Sequence, residues 1–233
     1  MSQRVVVTGA SSGIGAACVE LFQAEGAEVL GVDISDSSFA DDHLEIDLAE
    51  PDCGSLLLEF CGDRYVDGLV NNAAVGLDKE AVDTTPDEFD HVLNVNLRAP
   101  FLLASALQPV LARQGGFVLN IASVHAVATS RLVAAYAASK GGLVSLTRAL
   151  AIEWAPDIRV NAVLPGAVET QMLTDGLFRT DSSLEELARR HPLGRVGSPA
   201  EIAHAVAFLA TNTFATGVVL TLDGGATARL STE

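Results

Sequence analysis

Positive charge is what this 233-residue chain has least of. Lysine and arginine together number 14 against 30 aspartates and glutamates, for a formal net charge of −16. Such a field repels phosphate backbones and offers no basic patch, so nucleic acid is excluded as a partner and an acidic carrier protein is disfavoured. Any anionic small ligand must therefore be held locally, by backbone amides. Cysteine is also scarce: Cys18, Cys53 and Cys61 fit neither a disulfide framework nor a metal-ligand spacing, so no metal and a reducing cytoplasm are expected. No apolar run continues uninterrupted for the length of a bilayer span, so no membrane association is expected. The strand pattern in SQRVVVTGA begins almost at once, which predicts that no signal peptide precedes it.

What is present is apolar material: 49% of residues are hydrophobic and 19% charged, enough for a substantial core. Short β-branched runs alternate with helical patterns. The predicted strands are 4–8, 28–33, 67–72, 116–122, 158–165 and 217–222, with a weaker one at 43–46. They read as continuous apolar runs, the pattern of strands covered on both faces. Helices are predicted near 14–25, 51–61, 86–113, 134–155 and 199–210. Thr85-Pro86-Asp87-Glu88 and Ser198-Pro199-Ala200-Glu201 are capping boxes with proline in the first turn. Strand–helix alternation implies an α/β fold with a doubly wound parallel sheet. No linker or repeat divides residues 1–233, so one domain is expected, with a substrate-side excursion at about 167–198.

The first strand leads into Thr8-Gly9-Ala10-Ser11-Ser12-Gly13-Ile14-Gly15, and a helix opens there. Glycines between strand and helix permit a tight turn and close approach to a pyrophosphate, which the amides of the helix N-terminus then receive. The second strand ends in Asp33, whose carboxylate can accept from ribose hydroxyls and would repel a 2′-phosphate. No Arg or Lys lies in 9–15 or 33–38 to offset it. NAD is therefore expected over NADP.

The segment AAYAASKGGLVSL (134–146) holds one of two tyrosines and one of two lysines, Tyr136 and Lys140, four residues apart. Alone, the pair reads as an aromatic ring beside a charge that snorkels to water. Its company changes that: TGASSGIG at 8–15, NNAA at 71–74, Asn96 in NVNLRAPF, Ser123 in LNIASV, YAASK at 136–140 and PGAVET at 165–170. In order and spacing across nearly the whole chain, these resemble the short-chain dehydrogenase/reductase family, of the compact single-domain type. The resemblance implies a Rossmann-type fold, a nicotinamide cofactor, hydride transfer between alcohol and carbonyl, and Asn96, Ser123, Tyr136 and Lys140 as a catalytic tetrad.

The chemistry is consistent with that set. A phenol near pKa 10 needs about 4 kcal/mol to titrate near neutrality, and a desolvated ammonium on the same helix face, helped by oxidised nicotinamide, can supply much of it. A serine at a strand's carboxyl end can donate to the substrate oxygen as charge develops. Pro100 has no N–H for the carbonyl of Asn96, which is then free to hold a water linking Lys140 to solvent.

The resemblance also implies cofactor contacts along Gly9, Ser11, Ser12, Gly13, Ile14, Gly15, Asp33, Asp47, Leu48, Asn72, Ala73, Ala74, Tyr136, Lys140, Pro165, Gly166, Val168 and Thr170. Substrate contacts are expected at Ser123, His125, Tyr136 and Met172, in an otherwise apolar lining suited to a secondary alcohol or ketone. The alternatives are a 3-oxoacyl thioester reductase and a non-catalytic NAD-sensing protein. An enoyl reductase is expected to have a longer Tyr-to-Lys spacing. The stripe Leu143, Leu146, Leu150, Trp154 is read as core. The apolar circumference of Phe101–Leu111 predicts a homo-oligomer, dimer or tetramer.

Overall fold

Seven strands, all parallel, order the molecule and put their carboxyl ends on a single edge. In the computed structural model, which describes residues 3–35, 40–180 and 183–230, these are β1 (Arg4–Thr8), β2 (Glu28–Asp33), β3 (Asp42–Glu45), β4 (Gly68–Asn71), β5 (Phe117–Ile121), β6 (Arg159–Pro165) and β7 (Val219–Leu222). Their order across the sheet is β3-β2-β1-β4-β5-β6-β7. The order reverses between β1 and β4, which pair directly. That reversal opens a crevice at the carboxyl edge, where such sheets hold ligands. Every expected strand is present within two residues of its predicted ends.

Helices α1 (Gly13–Ala24), α2 (Cys53–Cys61), α3 (Pro86–Leu93), α4 (Ala99–Gln114), α5 (Ala134–Glu153), α6 (Gln171–Thr180), α7 (Leu184–Arg189) and α8 (Pro199–Thr211) complete the fold. Side chains alternate along each strand, so both faces of the sheet must be covered. Val5 and Val7 point to a layer built with Val19 and Phe22 of α1 and Ile202, Val206 and Leu209 of α8. Val6 points the other way, toward Leu57 of α2, Leu103, Leu107 and Leu111 of α4, and Leu150 of α5. A fully buried leucine contributes about 1.5–3 kcal/mol, so the two layers supply most of the driving force. Cys18, Cys53 and Cys61 are buried free thiols within them. Leu143 and Leu150 are buried and Leu146 and Trp154 pack beside them, as the stripe predicted.

Two stretches differ from expectation. The predicted helix 86–113 is three pieces: α3, a π-turn at Asn94–Arg98, and α4. Pro100 cannot continue an i→i−4 ladder, and the chain widens just before it, with Ala99 N–H donating to the carbonyl of Asn94 five residues back. The helical run Pro86–Gln114 is long and apolar enough to cross a membrane, which the expectation of no such run had missed. Leu103, Leu107 and Leu111 face the sheet, the pattern of a core helix. Among the described residues the excursion after β6 holds two helices, α6 and α7, and α7 starts in an unanticipated capping box, Ser183 with Glu186.

Candidate active site

Thr8, Asp33, Asn71 and Pro165 end their strands at the carboxyl edge, and Ser123 lies two residues beyond β5. The glycine turn is fastened to the segment after β4. Thr8 Oγ1 accepts the N–H groups of Asn72 and Ala73, both at 3.0 Å, and Asn72 Nδ2 donates to the carbonyls of Thr8 and Gly9. Gly9 has φ +67°, and a Cβ on it would fall 2.7 Å from that amide nitrogen; a Cβ on Gly15 would fall 1.9 Å from the Gly9 carbonyl oxygen. The turn therefore admits only glycine at both places. Asn72 braces the turn with the side chain that the sequence assigned to cofactor.

Helix α1 has Ser12 at its N-cap position without a side-chain cap bond, whereas α3, α7 and α8 each carry a capping box. Its first N–H groups are left for something else. A cleft of about 490 Å³ runs from Ser12 and Gly13 past Thr170 and Gln171 to Ser198. Gly13 and Thr170 nearly touch, since a Cβ on Gly13 would lie 3.1 Å from Thr170 Cγ2. Asp33 Oδ2 accepts from Ser11 N–H at 3.0 Å, and Oδ1 from the N–H groups of Ile34 and Ser35. That network fixes a carboxylate beside the turn. Asp47 Oδ1 caps Ala49 N–H. Leu48 and Val168 are core side chains. Gly166 N–H donates to Leu222, tying the chain after Pro165 to β7. Met172 stands 46% exposed on α6.

Ser123 is buried, in extended conformation, and its Oγ accepts the N–H of His125 at 3.2 Å. Its hydroxyl proton is left to donate elsewhere. Across from it stands Tyr136, in the first turn of α5. Burial pushes the phenol above its usual value, and a hydrogen bond with the Ser123 side chain pulls the other way.

Lys140 lies one turn on, 2% exposed. Its Nζ donates to the Ile121 carbonyl at 2.8 Å and sits 5.6 Å from the centre of the Tyr136 ring. Burial alone brings its pKa down to about 7. The pair is one in which each group is pushed toward its neutral form.

Asn96 is fully buried, in the π-turn. Its Oδ1 accepts Val75 N–H at 2.8 Å, and its Nδ2 donates to the Val75 carbonyl and to Ser139 Oγ. Ser139 Oγ in turn donates to the Tyr136 carbonyl at 2.7 Å. The side chain of Asn96 thus holds the segment after β4 against the helix that carries Tyr136. A second polar chain, Asn71 to Asn120 to Thr147, anchors the same helix to β4 and β5.

Sequence reasoning missed Ser139, Thr8 and the Ile121 carbonyl. Thr8 was legible as the hydroxyl opening the glycine turn, and Ser139 as the residue before Lys140. A backbone carbonyl leaves no signal in sequence.

Comparison with known proteins supplies a context. A family model described as enoyl-(acyl carrier protein) reductase matches residues 9–227. An uncharacterised short-chain type dehydrogenase/reductase of Sinorhizobium fredii is 37% identical over 236 residues, covering 95% of this chain, which spans 43% of that longer protein. The ligand-free aldohexose dehydrogenase of Thermoplasma acidophilum superposes with TM-score 0.94 at 32% identity, covering 99% of this chain and 96% of its own. A 3-ketoacyl-(acyl-carrier-protein) reductase from Brucella melitensis, solved with NADH, gives TM-score 0.87 at 33% identity over 96% and 98% of the two chains.

Proposed function

The chain belongs to the short-chain dehydrogenase/reductase family, and from that premise we propose that it interconverts a secondary alcohol and a ketone with NAD. The observation that carries this is Lys140. A buried lysine whose hydrogen-bond partner among the described residues is a neutral carbonyl costs stability, and a perturbed group of that kind beside a buried tyrosine is the mark of a residue kept for chemistry. Here it lies beneath a buried tyrosine that is hydrogen-bonded to a buried serine.

Tyr136, kept protonated by burial, gives its proton to a ketone oxygen, and takes one back from an alcohol in the reverse direction. Ser123 donates to the same oxygen as charge develops on it. In reduction Lys140 returns a proton to the phenolate that donation leaves behind; in oxidation it first takes the phenol proton, so that the phenolate can accept the alcohol's, and Asn96 keeps α5 in register with the segment after β4. The carbonyl of Asn96, denied a donor at Pro100, holds the water that connects Lys140 to solvent.

The residues fit a nicotinamide dinucleotide. The turn admits no side chain at Gly9 or Gly15, and the first amides of α1 have no side-chain cap. A bound nicotinamide supplies or takes up the hydride and, when oxidised, a positive charge near the phenol. The fixed carboxylate of Asp33 favours ribose hydroxyls over a 2′-phosphate, hence NAD. We further propose a homo-oligomer formed through α4 and α5, whose outer faces leave Phe101 45% and Ile152 83% exposed.

A 3-oxoacyl thioester reductase is the second reading, favoured by the likeness to the Brucella enzyme. The net charge of −16 weighs against an acidic carrier. The test is nucleotide reduction across secondary alcohols and hydroxyacyl thioesters, each with NAD and NADP. Turnover of alcohols with NAD, reduced about 10²–10⁴-fold in Tyr136→Phe with NAD binding retained, is the expected result. Turnover equal in the mutant removes the reading.

A further inference from the structure

His125 is left over from the chemistry above. Its backbone N–H, not its ring, serves Ser123. The ring is held from two sides. Nδ1 lies 3.0 Å from Thr129 Oγ1, and the ring meets that of Tyr136 edge to face, 5.8 Å between centroids at 80°. Nε2 has no hydrogen-bond partner among the described residues, and it is not one of the unpartnered atoms sealed from solvent. One nitrogen fixes the ring and the other is available.

Place decides what that nitrogen can meet. Ser123 is two residues away and the Tyr136 ring is in contact. The two hydroxyls that would share a substrate oxygen thus belong to the residues His125 adjoins. The other side chains of this turn, Val124, Ala126 and Val127, are apolar.

Charge narrows the choice further. Burial holds the imidazole below its ordinary pKa, with Asp78 near enough to oppose that in part. A neutral imidazole nitrogen donates or accepts according to its tautomer, and a hydroxyl matches either state. A carboxylate matches only the N–H form, and it would face Asp78 in a chain of net charge −16.

We propose that His125 Nε2 forms a subsite for a hydroxyl on the carbon next to the reacting one, making vicinal diols and polyols the preferred substrate class. The proposal rests on the alcohol–ketone reading but is read out separately from it.

The experiment compares cyclohexane-1,2-diol with cyclohexanol as substrates, in the wild-type enzyme, His125→Leu and His125→Gln. Each variant is first checked for NAD binding. The readout is the ratio of kcat/KM values, in which any general loss of folding or catalysis cancels. A site built to bond a hydroxyl discriminates strongly against the analogue lacking it. The expected ratio is at least about tenfold in favour of the diol, falling toward unity in His125→Leu and partly restored in His125→Gln. A ratio near unity in the wild type, or one unchanged in His125→Leu, overturns the subsite.

Saturation-transfer NMR of the same two alcohols on the NAD complex reads the contrast without turnover. Diol binding lost in His125→Leu supports the subsite even where both alcohols are inert, a result that removes the alcohol–ketone reading instead. Equal binding in both proteins overturns the subsite.

Discussion

The chain's two lysines occupy opposite environments. Lys79 stands at the surface, where its Nζ reaches both oxygens of Glu88 at 2.8 and 2.9 Å, each side chain about one-third exposed. Glu88 also closes the capping box of α3 with Thr85. Foremost the hydrogen bond from Lys79, then the Thr85 backbone, hold its carboxyl at about 2. The N–H of Lys79 bonds to the carbonyl of Leu132, so this clamp secures the loop entering α5. Lys140, one turn inside that helix, is buried and has the Ile121 carbonyl for its partner. A solvated lysine keeps its charge at little expense and can be used for orientation. A buried one loses its charge readily, and its presence points to chemistry.

Removing the buried lysine gives the largest expected effect. Lys140→Met lowers kcat by a factor on the order of 10²–10⁴ and alters the pH dependence of stability. The folded value of about 7 lies below the ordinary 10.5. Between those values the unfolded chain holds this proton and the folded chain has released it. Wild-type stability therefore gains from this group as pH rises through that window, by roughly 4–5 kcal/mol in all. Urea midpoints from pH 7 to 10.5 check it: the mutant loses that slope, and an unchanged slope would show that Lys140 is solvated.

Asn96→Ala comes next. It strips two bonds from Val75 and one from Ser139, and an expected loss of about 2 kcal/mol should appear in denaturant midpoints. Because the bracing reaches Tyr136 through Ser139, kcat should fall more than NAD affinity, measured by fluorescence titration. Lys79→Ala is the smallest. A shift in unfolding midpoint barely above error, vanishing in high salt, is expected, with kcat unchanged. A large loss of activity would mean that the surface clamp also positions α5.

Much of this was legible beforehand. β-branched runs and helical periods located all seven strands and five of the helical segments, because strand and helix patterns are local and repeat over a few residues. The Thr85 and Ser198 capping boxes were legible for the same reason. The π-turn was half legible: Pro100 announced a broken ladder, but whether the chain kinks or widens depends on what packs around it. The excursion after β6 was the least legible, since its polar residues follow no single period and Ser183 does not stand before an apolar run.

By itself the sequence determined the parallel doubly wound sheet, the glycine turn at the carboxyl edge, and the spacing that puts Tyr136 and Lys140 on one helix face. All of these follow from hydrogen bonding and side-chain direction between near neighbours. Tertiary structure alone decided that Lys140 is buried against the carbonyl of Ile121, that the Asn96 side chain joins Val75 to Ser139, and that Asn72 braces the glycine turn. Those contacts join residues 19 to 63 apart in the chain. The charge a buried group can keep depends on how much water packing excludes, and packing is a property of the assembled layers.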